Sequence, residues 1–397
     1  MLRAFRSGAG VAAGIPYWRL AAVYFAYFAF VGAFSPFFGL YLQSLGAAPW
    51  EIGTLNAEMQ LVRTVAPNFW AWLVDMRGHR ERWLRATLVL GAVAWSMLLW
   101  THDLAALSWV LALSVFFTSA AMPLVESATL SHLRERLSRY GAIRLWGSIG
   151  FIAAVLGVGR LLERWPLAAL PAIVLATLGL SLAVAFTVPA APQTRAARGE
   201  SVWPLLRRPD IALFFGACFL MSVAHGPLYA FYSIHLAAHG YSTTLVGAMW
   251  SIGVVAEILV FMGMTALLAR FGAMTVLRWS FAAAVIRFAI IGWSADSVAA
   301  LVFAQILHGA TFGAYHAAAL ALVHRWFEGG RHVRGQALYL SLSFGAGGMV
   351  GGLASGFAWE SIGPAWTFTA ASVAAAAGLL LLVPRARIPG LSWSRSS

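Results

Sequence analysis

The sequence predicts an all-α integral membrane protein of twelve transmembrane helices in two pseudo-symmetric six-helix bundles. Three observations carry this. The 397 residues are 61% hydrophobic and 10% charged, with a mean hydropathy of +0.78, too apolar for a water-soluble globule. Apolar stretches of bilayer-spanning length recur along the whole chain, with almost no polar faces between the loops. The second half also repeats features of the first at a fixed offset.

The spans fall at 20–43, 52–75, 83–101, 104–131, 142–162, 166–188, 209–238, 243–269, 273–294, 297–324, 335–358 and 362–383. Each is close to or above the roughly 20 residues that cross a hydrocarbon core. Glycine and proline run through them, as membrane helices tolerate. Arg3 and Arg6 ahead of the first span imitate a secretory signal. The apolar run that follows exceeds the roughly 7–15 residues of a signal core, and more spans come after it, so it is read as a retained helix.

Arginine placement sets the orientation. The chain has no lysine, so all 27 basic residues are arginine. Arg160 and Arg164 alone lie at the end of, or in the loop after, an odd-numbered span, and Arg63, Arg144 and Arg287 lie deep within spans. The others fall in the termini, after even-numbered spans or, for Arg85 and Arg278, in the first residues of the span that follows, with Arg77, Arg80, Arg82 and Arg85 as one group and Arg134, Arg136 and Arg139 as another. The positive-inside rule then puts both termini in the cytoplasm of a bacterial inner membrane. The net charge of +13 is therefore topological. Anionic lipid headgroups are its counterpart, and no nucleic-acid partner is implied.

The repeat is clearest at the start of each half. Ser35-Pro36-Phe37-Phe38-Gly39-Leu40-Tyr41 is echoed by Gly226-Pro227-Leu228-Tyr229-Ala230-Phe231-Tyr232. Ile52-Gly53 matches Val246-Gly247, and Asp75-Met76-Arg77-Gly78 matches Ala269-Arg270-Phe271-Gly272, both at an offset of 194 residues. The same offset carries Arg63 onto Glu257. Two related bundles with charges at equivalent depths are what a solute transporter needs, because its halves rock about a shared central site. A polar stretch at 189–208, rich in Pro, Ala, Arg and Ser, reads as a cytoplasmic linker between a bundle at 1–188 and another at 209–397.

Between spans two and three, Ala71-Trp72-Leu73-Val74-Asp75-Met76-Arg77-Gly78-His79-Arg80 resembles the cytoplasmic loop motif of the major facilitator superfamily. It keeps Asp75, Gly78 and Arg80 and departs at Ala71, Met76 and His79. The resemblance implies that Asp75, Gly78 and Arg80 gate the cytoplasmic side. Four further stretches resemble the phenylpropionate permease group, itself similar to the lactose permease and nucleoside symporter families. They are Tyr140-Gly141-Ala142-Ile143-Arg144-Leu145-Trp146-Gly147-Ser148-Ile149-Gly150-Phe151, Gly253-Val254-Val255-Ala256-Glu257-Ile258, His308-Gly309-Ala310-Thr311-Phe312 with His316, and Arg334-Gly335-Gln336-Ala337. The pattern runs over nearly the whole chain and implies a carrier, expected to be monomeric, that moves a small organic solute with protons.

Glu58, Arg63, Glu126, Arg144, Glu257 and Arg287 lie inside spans. A lone charge there costs about 2.5–3.5 kcal/mol or more, so pairing is expected. Glu126 near the end of span four and Arg144 near the start of span five come to similar heights. They form either an ion pair tying two helices or, as the resemblance implies, the groups that hold the solute. The guanidinium offers a planar fork to carboxylate or hydroxyl groups. Trp146 and Phe151 either stack on a solute ring or pack. Glu257, midway along span eight, is the candidate proton carrier, with Arg287 on span nine as its changing partner. The alternative for that pair is a permanent salt bridge.

On span ten, Gln305, His308, Phe312, Tyr315 and His316 fall within about a third of the circumference at 100° per residue, and are expected to face one cavity. His316 aligns with Glu126 across the repeat. An unperturbed histidine titrates near physiological pH, so His316 joins the proton-coupling candidates Glu257 and Arg287. On span seven, His225 shares a face with Tyr229 and Tyr232, and beside Gly226-Pro227 it reads as satisfying backbone freed by a kink. Asn56, Gln60, Arg63 and Pro67 form a stripe on span two that is expected to face the pore. Glu58 points the other way, with no role assigned. The solute-binding candidates are therefore Arg144, Glu126, Trp146, Arg63, Asn56, Gln60, Tyr229, Tyr232, His308, Tyr315 and His316.

Other classes are disfavoured by what the sequence lacks. Without lysine there is no Walker A motif and no retinal or pyridoxal Schiff base. Cys218, the sole cysteine, reads as a packed core residue and offers no disulfide framework or thiol metal site. No metal-ligand spacing or serine elbow is present, so neither a metal, a cofactor nor an enzyme activity is expected. The expected function is proton-coupled uptake of a small organic solute. The resemblance points to an aromatic carboxylate such as a phenylpropionate. A sugar or nucleoside symporter, a multidrug proton antiporter and a transporter-like membrane sensor are the alternatives.

Overall fold

The computed structural model describes residues 15–101, 103–133, 136, 139–190 and 202–383. Twelve long helices account for almost all of them. They are α1 (Tyr17–Ser44), α2 (Pro49–Arg77), α3 (Arg80–Leu99), α4 (Leu104–Leu133), α5 (Tyr140–Leu162), α6 (Leu167–Ala185), α7 (Pro209–Ala238), α8 (Thr243–Phe271), α9 (Ala273–Trp293), α10 (Val298–Trp326), α11 (His332–Ser361) and α12 (Pro364–Leu382). Eleven are long and apolar enough to cross a membrane. The other, α2, has 29 residues but carries Asn56, Glu58, Gln60, Arg63 and Asn68 along its length. The expected spans coincide with these helices to within three residues at each end. The chain is thus an all-helical, multi-pass membrane protein. The middle of the expected linker (191–201), both termini and Arg134 lie outside the described residues.

The duplication is physical. Helices α2 and α8 both have 29 residues and begin 194 residues apart, at Pro49 and Thr243. The Glu51 carboxylate accepts from the Ala48 N–H at 2.7 Å ahead of α2, and Ser242 Oγ accepts from the Leu245 N–H at 3.3 Å ahead of α8. Each helix stops at a glycine with positive φ, 70° at Gly78 and 76° at Gly272, a region that strains residues with a Cβ. Helices α1 and α7 are each broken in the same way. Pro36 and Pro227 lack an N–H and crowd the preceding turn, giving pieces Tyr17–Phe34 and Phe38–Ser44 in one, Pro209–Ala224 and Gly226–Ala238 in the other.

The halves touch at the ends of helices on the arginine-poor face. A Cβ on Gly53 of α2 would stand 2.7 Å from Gly352 O and from the Gly356 Cα of α11. One on Gly247 of α8 would stand 2.6 Å from Val155 O of α5. Thr243 Oγ1 donates to Gly159 O at 2.7 Å beside that second contact. Small residues let backbones approach this closely, which is the main source of helix association in lipid. Contact between α2 and α11 continues inward as far as Thr64 against Gly345. Beyond it the stretch His332–Leu340 of α11 is not packed against α2, and a cleft opens towards the arginine-rich face. Exposed tryptophans near helix ends, among them Trp18, Trp100, Trp165, Trp293 and Trp366, suit the two membrane–water interfaces.

Candidate functional site

Polar side chains gather where α2, α7, α10 and α11 meet. They bound a cavity lined by Asn56 and Gln60 of α2, Ser222, His225 and Tyr229 of α7, Thr311, Phe312 and Tyr315 of α10, and Phe344 and Gly348 of α11. Gln60 ties the two halves together there. Its Nε2 donates to Phe344 O at 3.3 Å, and its Oε1 accepts from Arg63 Nη1 at 3.1 Å. Arg63 lies 5.9 Å from the centre of the Phe34 ring. It is surrounded by protein yet keeps solvent access, as a charge in a wet cleft does.

Arg144 is held by aromatic rings. Its guanidinium sits 4.1 Å over the Phe28 ring centre and 5.7 Å from that of Tyr24, a cation–π arrangement. Gly147 leaves room for this, since a Cβ there would come within 2.9 Å of Arg144 Nη1 and 2.7 Å of Phe28. Glu126 acts on Arg144 through space, while its carboxylate accepts from the Tyr140 hydroxyl at 3.3 Å. Arg144 also interacts electrostatically with Glu257 of α8 and His316 of α10, so it faces the opposite half.

Glu257 keeps partial access, with one carboxylate oxygen 3.9 Å from His308 Nε2. Gly253 makes space for His308, whose Cδ2 would lie 3.2 Å from a Cβ there. Arg287, the expected partner of Glu257, is placed differently. It is only 1% exposed and donates to Ala304 O at 2.9 Å, Thr311 Oγ1 at 3.0 Å and Gln305 Oε1 at 3.2 Å. These neutral acceptors anchor it to α10, and the Glu257–Arg287 pair is not closed in this arrangement.

The expected common face of α10 splits, for a local reason. Gly309–Ala314 is π-helical, as is Ser341–Gly347 of α11. Bonding from i to i+5 adds a residue to the turn, so a projection at 100° per residue fails past His308. Gln305 binds Arg287, and His308 turns to α8 and stacks on Phe312 at 5.3 Å. Tyr315 lines the cavity and donates to Cys218 O at 3.3 Å. His316 turns to α11, where its Nδ1 is 3.2 Å from the Tyr339 hydroxyl.

Of the solute candidates, Asn56, Gln60, Tyr229 and Tyr315 line this cavity, Arg63, Glu126, Arg144, His308 and His316 lie outside its lining, and Tyr232 and Trp146 pack elsewhere. Tyr232 is fully buried, edge-on to Trp250 at 5.8 Å, because the break at Pro227 offsets its spacing from His225. Tyr229 stays in the cavity wall and stacks on the same Trp250 at 6.3 Å. Trp146 donates to the Tyr17 hydroxyl at 3.3 Å and meets Trp18 edge-on at 5.7 Å. Two residues past Arg144, it points about 200° away around α5. His225 bonds the kinked backbone as expected, with Nδ1 2.8 Å from Met221 O. Glu58 accepts from Ser108 Oγ at 2.6 Å and links α2 to α4. In the loop motif, Asp75 is exposed, Gly78 and His79 have positive φ, and Arg80 Nη1 reaches Ser131 Oγ of α4 at 3.3 Å.

Ser222, Thr311, Phe344 and Gly348 line the cavity but were not singled out from the sequence. The glycine-dense stretches at 309–313 and 345–352 were the available signal for the last three. Among the described residues, no group of three His, Cys, Asp or Glu could hold a metal ion.

A multi-pass helical protein whose two related bundles enclose a polar, charge-lined cleft is a secondary transporter, not an enzyme. The chain belongs to the MFS_1 like family, whose profile matches residues 17–370. It is 29% identical over 354 residues to the probable 3-phenylpropionic acid transporter of Escherichia coli (strain K12), covering 87% of this chain and 91% of that one. It is 27% identical over 380 residues to the maltose permease of Geobacillus stearothermophilus, covering 92% and 94%. A solved structure of a mutant nucleoside transporter NupG superposes with a TM-score of 0.84 at 18% identity, covering 92% of this chain and 98% of that chain. That likeness establishes the fold alone.

Proposed function

We propose that the chain is a proton-coupled symporter that takes up a small aromatic carboxylate, such as a phenylpropionate, across the bacterial inner membrane by alternating access. The observation that carries this is Arg144. A guanidinium stacked on Phe28, open to the cleft and facing Glu257 of the other half, offers a fork to an anion beside aromatic walls. The similarity to the 3-phenylpropionic acid transporter supports the same choice of solute. Arg63, Asn56, Gln60, Tyr229, Tyr315 and the histidines of α10 complete the polar lining. Glu257 takes a proton when the cleft faces outward, and a guanidinium brought close by rocking of the halves drives it off.

On this reading the arginine-rich face and both termini are cytoplasmic, and the cleft described above is open inward. The stretch 189–208 joins bundles at 1–188 and 209–397, Asp75, Gly78 and Arg80 gate the inner side, and the carrier works as a monomer in lipid. Uptake by vesicles tests the reading. Labelled 3-phenylpropionate should accumulate when the outside is acidified, and unlabelled acid should compete where maltose and uridine do not. Accumulation of maltose or uridine in its place would contradict it. The sugar or nucleoside reading retains one support: the Asn56 and Gln60 amides in the cavity wall suit hydroxyl-bearing solutes.

A further inference from the structure

Arg63 carries a charge that no carboxylate balances. It lies deep in α2 with solvent access, and its Nη1 donates to Gln60 Oε1 at 3.1 Å. The Phe34 ring centre lies 5.9 Å away, and the Tyr27 phenol acts on the guanidinium electrostatically. Among the described residues no Asp or Glu pairs with it, and Glu58 of the same helix is turned to Ser108 of α4. Bulk water hydrates a guanidinium while the cleft is open. Closing the cleft around a solute expels that water and makes the charge costly unless an anion accompanies it. The wider site has the same excess. Arg63, Arg144 and Arg287 lie deep in the spans with Glu126 and Glu257, and Glu257 is protonated in the loaded state proposed above. Three guanidiniums then stand against one carboxylate. A monoanion cancels half of that excess, and a dianion cancels all of it.

Arg287 is sealed at 1% exposed, which leaves Arg144 and Arg63 as the partners for such an anion. Helix α1 sets these two apart. Arg144 stacks over Phe28 and Arg63 approaches Phe34, rings whose positions differ by a rise of about 9 Å along the helix. Tyr27, on the same face of α1 as Phe34, interacts electrostatically with both arginines and with Glu126. A phenol ring thus lies in the stretch between the two cations. We propose that the solute bridges Arg144 and Arg63 with an anionic group at each end, so that the preferred substrates are aromatic dicarboxylates. This rests on the carboxylate reading above. Each carboxylate then meets a planar N–H fork, and the ring between them runs along an aromatic face of α1.

The test is competition binding to the full-length protein in vesicles. The probes are 3-phenylpropionate, its 3-carboxyphenyl and 4-carboxyphenyl analogues, and the matching carbamoyl acids, which keep the size and lose the second charge. One diacid should bind about tenfold more tightly than its carbamoyl counterpart. Arg63→Gln should bring that ratio close to one, and Arg63→Lys, which keeps a point charge, should retain part of it. The ratio is the readout, so a loss of affinity common to both acids cancels. If hydration or Glu257 balances Arg63 instead, diacid and carbamoyl acid bind equally in the parent protein. That result overturns the proposal while the carboxylate reading stands. An undiminished ratio in Arg63→Gln overturns it as well, because the second carboxylate then lies elsewhere. Failure of every acid to bind would remove the carboxylate reading and this inference with it.

Discussion

Gly53 and Gly247 occupy the same place in the two repeats, and each lays bare backbone against the opposite half. A Cβ would stand 2.7 Å from Gly352 O in one case and 2.6 Å from Val155 O in the other. The closed end of the cleft is therefore built from backbone contact on both sides of the pseudo-twofold axis. No rotamer change can relieve an added side chain there.

Gly53→Leu and Gly247→Leu should each hold the arginine-poor face open. A cysteine introduced at Asn56, labelled with an impermeant thiol reagent from that side, should react several-fold faster in either variant than in the parent. Equal rates would show that these contacts do not set the closure.

The same end holds a carboxylate outside the membrane span. Glu163 follows the last turn of α5 and pairs with Arg160 at 3.0 Å. Its carboxyl is held below the usual range chiefly by the Ser242 hydroxyl, at the start of α8 in the other half. A carboxyl depressed in the closed state contributes closure above its ordinary range of about 4.3, and that contribution is lost as pH falls through the depressed value. Glu163→Gln should thus loosen the face at pH 7. The parent should keep this contribution from pH 8 to 5 and lose it only below about pH 4. Thiol labelling across that range is the measurement.

Arg144→Lys keeps the charge and loses the planar fork stacked on Phe28. Solute binding should fall roughly tenfold or more if a charge-assisted bond is lost. Glu126→Gln should be mild for a carboxylate, which Glu126 repels, and severe for a sugar, whose hydroxyls it would accept. Competition binding on both variants separates the two substrate classes.

Topology is tested with fusions. A reporter placed after Arg387 or within 192–200 should behave as cytoplasmic, and one at 45–49 as periplasmic. Termini on opposite faces would contradict an even number of spans.

The fold was legible because a bilayer leaves few options. Each span had to be apolar and about 20 residues long, and repeat-equivalent features such as Gly53/Gly247 and Gly78/Gly272 proved to have one structural cause each. The cost of an intramembrane charge drew notice to Arg144 and Glu257, which interact electrostatically. Details that depend on helix phase were not legible. The π-helical turn Gly309–Ala314 shifts His316 out of phase with His308, and the proline break in α7 sends Tyr232 to Trp250. A uniform 100° projection contains neither effect. Partner choice was hidden too. Phe28 holds Arg144 and Tyr140 bonds Glu126, so two neighbouring helices need no direct ion pair.

Coupling at Glu257 is the central claim, and Glu257→Gln in proteoliposomes addresses it most directly. With an inward proton gradient imposed, the variant should fail to accumulate labelled 3-phenylpropionate, yet exchange labelled for unlabelled acid across the membrane as the parent does. Accumulation by Glu257→Gln to the parent level would place the proton on another group and contradict the account.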